Sequence, residues 1–150
     1  ETERITDHGR ALSRVPAHPR IAHMITTAGE NATLPAALLG ERDILQKSGQ
    51  SDFTKRIQAI VDADPQVPKP TRNRVKSEAK RLTRFTGKNG PRYSVGQMLA
   101  LAFPDRIGAR RGGKAPRFIL SGGKGAIMRE EDALVSQRYI VAIELDGDPR

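Results

Sequence analysis

Apolar residues recur at helical spacing through the first two thirds of the chain. Thr6 stands where a capping hydroxyl is wanted, Leu12 points inward and Pro16 stops the segment, predicting a helix from Thr6 to about Arg14. Pro19 suits the first turn of a second helix, and Ile21, Met24, Ile25 and Ala28 then fall on one stripe that ends at Gly29. Residues 32–47 are rich in Ala and Leu and read as a helix broken near Gly40. Ser51 or Asp52 caps the next, in which Phe53, Ile57, Ile60 and Val61 repeat with the same period. Three prolines in Asp64-Pro65-Gln66-Val67-Pro68-Lys69-Pro70 make a stiff connector. Beyond it, Thr71 is placed to cap a helix with a narrow inner stripe of Val75, Ala79 and Leu82, stopped by Gly87 and Gly90-Pro91. Ser94 caps a last helix, through Met98, Leu99, Leu101 and Ala102, that is apolar nearly all round and therefore reads as buried.

The period then falls from 3.6 to 2. Arg106–Arg111, Arg117–Leu120, Gly125–Met128 and Arg138–Leu145 are short candidate strands, with Gly112-Gly113 and Gly122-Gly123 as turns between them. In the last strand Tyr139, Val141, Ile143 and Leu145 share a face, and Asp146-Gly147-Asp148-Pro149 closes it. The pattern predicts a mainly α chain with a small β portion (α+β): five to six helices before residue 103 and strands after it. Leu12, Ile21, Met24, Ile25, Ile57, Ile60, Leu99 and Leu101 are the expected core.

Composition narrows the chemistry. With no Cys among 150 residues, a disulfide framework, a thiolate nucleophile and a Cys-ligated metal are excluded. The apolar runs are too short to span a bilayer, no signal peptide opens the chain, and Glu1-Thr2-Glu3-Arg4 reads as an internal cut. A cytoplasmic protein is the expectation.

The net charge of +9 is unevenly spread. Residues 1–68 carry a net of −1, residues 69–92 a net of +8, residues 93–129 a net of +6 and the last 21 residues a net of −4. Positive charge confined to the middle of a chain points to a polyanion partner, with a solvated helix face as the plainer alternative. The cations concerned are Arg72, Lys76, Lys80 and Arg84 on the basic helix, and Arg110, Arg111, Lys114 and Lys124 on the strands and their turns. With two Tyr and four Phe, surfaces for stacking bases are few, so contact would rest on phosphates.

The remaining motifs assign no residue to catalysis or to a metal. Gly122-Gly123-Lys124-Gly125 and Arg111-Gly112-Gly113-Lys114 lack both the spacing and the hydroxyl of a Walker A loop and lie in strand-like sequence, where a hairpin turn is expected. His18 and His23, five apart, fall on opposite sides of a helix, and His18 instead serves the helix start before Pro19. Glu130-Glu131-Asp132 reads as a solvated charge run in a loop.

Three stretches carry a family resemblance. Thr6-x-x-Gly9-x-x-Leu12 followed by Pro16-x-x-Pro19-x-Ile21-x-x-Met24-Ile25 resembles the segment that ends the winged-helix domain of DEAH-box helicases. The wording His18-Pro19-Arg20-Ile21-Ala22-His23-Met24 is similar to the HrpB-type branch, the bacterial ATP-dependent RNA helicases. Ala100-Leu101-Ala102-Phe103-Pro104-Asp105-Arg106-Ile107, Leu120-Ser121-Gly122-Gly123-Lys124-Gly125-Ala126 and Ala142-Ile143-Glu144-Leu145-Asp146-Gly147 resemble the following domains of that family, in the same order. Residues 30–95 match only in pattern.

The resemblance implies a parent chain whose RecA-like motor domains hold ATP and Mg and carry the Walker A lysine, the DEAH box and the arginine fingers. This chain would then be the end of the winged helix (1–29), a helical-bundle, ratchet-like domain (30–102) and a truncated, partial OB-like antiparallel sheet (103–150). It would have no cofactor of its own and be inactive as an ATPase alone. It would guide single-stranded RNA or DNA beside the motor domains in cis, through phosphate contacts and with no membrane involved. The alternative is a structural or protein-interaction module whose basic helix binds an acidic partner.

Overall fold

Among the residues the computed structural model describes, 4–87 and 90–147, six α-helices precede a four-stranded antiparallel sheet. The readings of Glu1-Thr2-Glu3, of Lys88 and of Asp148-Pro149 fall outside them. The helices are α1 (Asp7–Ser13), α2 (Pro19–Ala28), α3 (Thr33–Leu39), α4 (Phe53–Val61), α5 (Lys69–Thr83) and α6 (Val95–Ala102). The strands are β1 (Ile107–Arg110), β2 (Arg117–Leu120), β3 (Gly125–Ile127) and β4 (Tyr139–Val141). The α+β class read from the sequence is thus the class observed.

Local chemistry sets the helix ends. The Thr6 hydroxyl accepts from the Gly9 amide, His18 Nδ1 from the Arg20 amide and Asp52 from the Thr54 amide. Ser94 and Gln97 form a reciprocal capping box at α6. The start of α5 corrects the expectation that Thr71 is its cap. The helix begins at Lys69 after Pro68, with Pro70 in its first turn. Pro70 lacks an N–H that the first turn would leave unbonded anyway, and its fixed φ already suits a helix. The proline-rich connector therefore runs straight into the helix.

Two apolar clusters hold the bundle together. In one, Met24, Ile25 and Ala28 of α2 meet Leu82 of α5 and Met98 and Ala102 of α6. In the other, Leu38 of α3, Phe53 and Ile60 of α4, Val67 of the connector, Val75 of α5 and Leu99 of α6 pack together. Full burial of a side chain the size of Met24, Ile25 or Ile60 contributes about 1.5–3 kcal/mol. Of the expected core, Met24, Ile25, Ile60 and Leu99 are buried. Leu12, Ile21, Ile57 and Leu101 are only half-buried and pack on the rims of the clusters, because helices this short leave the edges of each cluster open to solvent.

The sheet has the order β3-β2-β1-β4, with Gly108 opposite Leu120 on one side and Ile140 on the other. Phe118 and Leu120 are buried on one face, whereas Arg117 and Ile119 alternate onto the exposed face. The sheet meets the bundle at β4 and just beyond it, where Val141 and Ile143 pack on the second cluster. The expectation that Tyr139, Val141, Ile143 and Leu145 share one face of a strand running to Leu145 is corrected: Val141 and Ile143 face the bundle, whereas Tyr139 is 60% and Leu145 42% exposed. The strand ends at Val141, so the alternation does not continue to Leu145.

A cross-chain brace joins the start of the chain to the sheet. Arg20 of α2 pairs with Asp105, donates to the Ala102 carbonyl and lies over the Phe103 ring at 5.7 Å. Arg106 lies on that ring at 5.3 Å and donates to the Ile143 carbonyl at 2.6 Å. The His18–Met24 and Phe103–Arg106 stretches singled out in the sequence thus meet in space.

Asp132 corrects the reading of Glu130-Glu131-Asp132 as a solvated run. It is 3% exposed, and its carboxylate accepts from the Ser51 amide at 2.8 Å and the Leu134 amide at 2.9 Å. It ties the β3–β4 loop to the start of α4. Burial by itself raises its pKa, but the hydrogen bonds from Ser51 and Leu134 together with the charge of Arg56 outweigh that and hold it below its ordinary 3.8. Asp43, paired with Arg56 at 2.7 Å, is lowered in the same way. A depressed carboxylate pKa gives stability that is complete above about pH 5 and lost as the pH falls through the folded-state value. Chemical denaturation at pH 5, 4 and 3 should therefore show falling stability, and the fall should be shallower in Asp132→Asn. Equal pH slopes in the two proteins would contradict this role of Asp132.

Candidate nucleic-acid interface

Only Val75 and Leu82 are fully buried along the fifteen residues of α5, so most of its surface faces solvent. Its arginines are largely taken up by the fold. Arg72 Nη1 donates to the carbonyls of Asp64 at 2.8 Å and Val67 at 2.6 Å, fastening the connector to the helix. Arg74 makes a two-pronged pair with Glu41 of the loop after α3, at 2.9 and 3.0 Å. Arg81 does the same with Glu78, at 2.8 and 2.7 Å. These hydrogen bonds hold Glu41 and Glu78 below their ordinary carboxylate value.

Lys76, Lys80 and Arg84 remain exposed, and among the described residues none of them takes part in an ion pair. They lie four residues apart, one above the other, at a rise of about 6 Å per step. The result is a row of cations along one edge of the helix. Arg72 lies at the head of this row in the sequence, but its guanidinium is held by carbonyls and serves as a brace.

The sheet divides the other four cations. Arg110, Arg111 and Lys114 belong to the β1–β2 hairpin, whereas Lys124 belongs to the β2–β3 turn at the opposite end of β2. A four-residue strand separates the two turns by about 13 Å. Arg111 and Lys114 are exposed. Arg110 is half-buried, and its Nη1 is buried with no hydrogen-bond partner among the described residues, so it is less accessible than its neighbours. Lys124 is exposed, in a turn held against the 3-10 segment Pro104–Arg106. There the Gly122 amide donates to the Asp105 carbonyl at 2.9 Å and Ser121 Oγ donates to the Pro104 carbonyl.

This turn does not fit a phosphate-cradling loop. A Cβ on Gly122 would come within 2.9 Å of the Asp105 oxygen, and Gly123 has φ +86°. The Leu120 amide bonds the Lys124 carbonyl at 2.8 Å, as in a hairpin. Glycine is needed here for close packing and turn geometry. The turn offers ATP no cradle, and no group of three metal-ligating side chains occurs among the described residues.

Two features of the surface were not legible in the sequence. His8 and His23 touch, Nε2 to Nδ1, at 2.9 Å, although they belong to different helices. Partial burial, and secondly the charge of His8, lower the His23 pKa. On the sheet, Tyr139 is an exposed aromatic ring with the Arg138 guanidinium over it at 5.3 Å, on the same face as exposed Ile119 and Ile127, which lie two and three strands away. Only the pairing register, which opposes Ala109 to both Ile119 and Tyr139, reveals that they share a face.

No family model matches the chain. It is 28% identical over 144 residues to the ATP-dependent RNA helicase HrpB of Escherichia coli (strain K12), covering 95% of this chain and 17% of that protein. A crystal structure of the E. coli DExH-box NTPase HrpB superposes with a TM-score of 0.71 at 28% identity, over 99% of this chain and 18% of that one. A structure described as the Escherichia coli DEAH/RHA helicase HrpB gives a TM-score of 0.70 at 26% identity, over 95% of this chain and 17% of that one. The chain therefore spans about one sixth of the length of these relatives. The HrpB-type resemblance holds in sequence and in fold, and supports a segment of a DEAH-box helicase, consistent with a C-terminal fragment.

Proposed function

We propose that this chain, similar along its length to one sixth of HrpB, is an accessory segment of an ATP-dependent RNA helicase that guides single-stranded nucleic acid by its phosphates. The observation that carries the reading is the row Lys76, Lys80 and Arg84. These cations are exposed and unpaired among the described residues, while the neighbouring Arg72 is held by carbonyls and Arg74 and Arg81 are paired with Glu41 and Glu78. Arg111 and Lys114 on the β1–β2 hairpin extend the cationic surface, with Arg110 and Lys124 as lesser contributors. ATP and Mg belong to the motor domains of the parent, in cis, and no step of ATP hydrolysis is assigned to this chain. The winged-helix, ratchet-like and OB-like labels for residues 1–29, 30–102 and 103–150 belong to the same proposal. The first apolar cluster joins α2 to α5 and α6, which favours these parts acting as one rigid wall.

Phosphate contacts carry no base information, so binding should be weak and nearly indifferent to sequence, with a Kd of about 10⁻⁴–10⁻⁶ M at physiological salt. A competition experiment separates this from capture of an acidic protein. Fluorescent single-stranded RNA bound to the 150-residue chain should be displaced by unlabelled RNA at far lower charge concentration than by polyglutamate. Displacement by polyglutamate at equal or lower charge concentration would favour the protein-interaction module instead.

A further inference from the structure

A pocket of about 360 Å³ opens where the end of α1, the last turn of α2 and the end of α5 come together. Arg14 and Arg84 both line it, with Val15 and Phe85 as apolar wall and Thr26 and Thr86 beside them. Among the described residues no carboxylate lines it. Both arginines are exposed, and neither takes part in an ion pair among the described residues. They come from positions 70 residues apart in the chain, so their meeting is a product of the fold. Each caps the C-terminus of a helix, where a cation is favoured in any case. A single C-terminal charge needs no pocket, however. Two arginines lining one concave site that has no carboxylate among its described lining residues suit a planar or tetrahedral oxyanion.

We propose that this pocket is a phosphate-binding subsite for a single nucleic-acid strand, with Arg14 and Arg84 as its anion-binding groups. The proposal rests on the strand-guiding reading above and adds a fixed point to it. The row Lys76, Lys80, Arg84 leads directly into the pocket. A strand following α5 would place one phosphate between the two guanidiniums and lay its sugar or base on Val15 and Phe85. The pocket is large enough for that nucleotide unit. Arg14 distinguishes this subsite from the row, because it comes from the end of α1 and lies outside the basic middle of the chain.

The test uses an eight-nucleotide oligouridylate on the 150-residue chain, with binding followed by fluorescence anisotropy across a salt series. Arg14→Gln should weaken binding about three- to tenfold, the effect of one charge-assisted contact at a half-open site. It should also flatten the salt slope by about 0.7, the share of one phosphate on a single strand. Arg14→Lys should recover part of the affinity, and the Thr26 and Thr86 amide resonances should shift on titration with the oligomer. If oligouridylate binds and Arg14→Gln binds equally well with those amides unmoved, the subsite is wrong while the row on α5 stands. If the unaltered chain binds no oligouridylate at all, the strand-guiding reading fails and the subsite with it. Loss of thermal stability in Arg14→Gln with no change in affinity would assign Arg14 to the helix terminus alone and overturn the subsite.

Discussion

Truncating Ile25 to Ala should cost about 2–5 kcal/mol of folding stability, because the side chain is fully buried and its removal leaves a cavity that short helices cannot easily close. Ile25 sits in α2, in the cluster where α2, α5 and α6 meet. The loss should therefore be felt across the bundle. For a chain of this size it corresponds to a fall in melting temperature of about 4–20 °C, at 2–4 °C per kcal/mol. Val61→Ala, at a position 60% exposed on α4, is the matched control and should change stability by less than about 0.5 kcal/mol. Chemical denaturation of the two variants checks both. A loss at Ile25 no larger than that at Val61 would mean that α2 is not part of the core.

Of the stripes that made α2 and α4 legible, Met24, Ile25, Ala28, Phe53 and Ile60 are buried, whereas Ile21 and Ile57 are half-buried and Val61 is exposed. Period and capping chemistry gave the helices, and glycine pairs gave both hairpins, because each of these is a local property. The errors lie where the answer depends on distant residues. Arg72 reads as one more cation on a helix edge, and nothing in its sequence neighbourhood shows that the carbonyls of Asp64 and Val67 are within its reach. Asp132 reads as part of an acidic run because its partner, the Ser51 amide, lies 81 positions away. The proline-rich stretch was misread at its end for the opposite reason: Pro70 breaks a helix interior but suits a first turn, and only the helix start tells the two apart.

Replacing the row and the hairpin tip together should have the larger effect on function. In a Lys76→Gln/Lys80→Gln/Arg111→Gln/Lys114→Gln variant, RNA affinity at low salt should fall about ten- to a hundredfold, the combined effect of several exposed charge contacts. All four side chains are exposed and unpaired among the described residues, so each should alter stability by less than about 0.5 kcal/mol. A binding loss without a stability loss is what separates an interface from a scaffold. The variant leaves Arg14 and Arg84 in place, so residual weak binding is expected rather than none.

The salt dependence of single-stranded RNA binding tests the central claim most directly. Four to six cations reaching phosphates should make log K fall against log salt with a slope of about −3 to −4, at roughly −0.7 per phosphate. In the fourfold variant the slope should flatten to about −1, because each lost contact removes its own share. A slope near zero in the unaltered chain, or a fourfold variant with the unaltered slope, would leave the positive row as a solvated helix face and contradict the account.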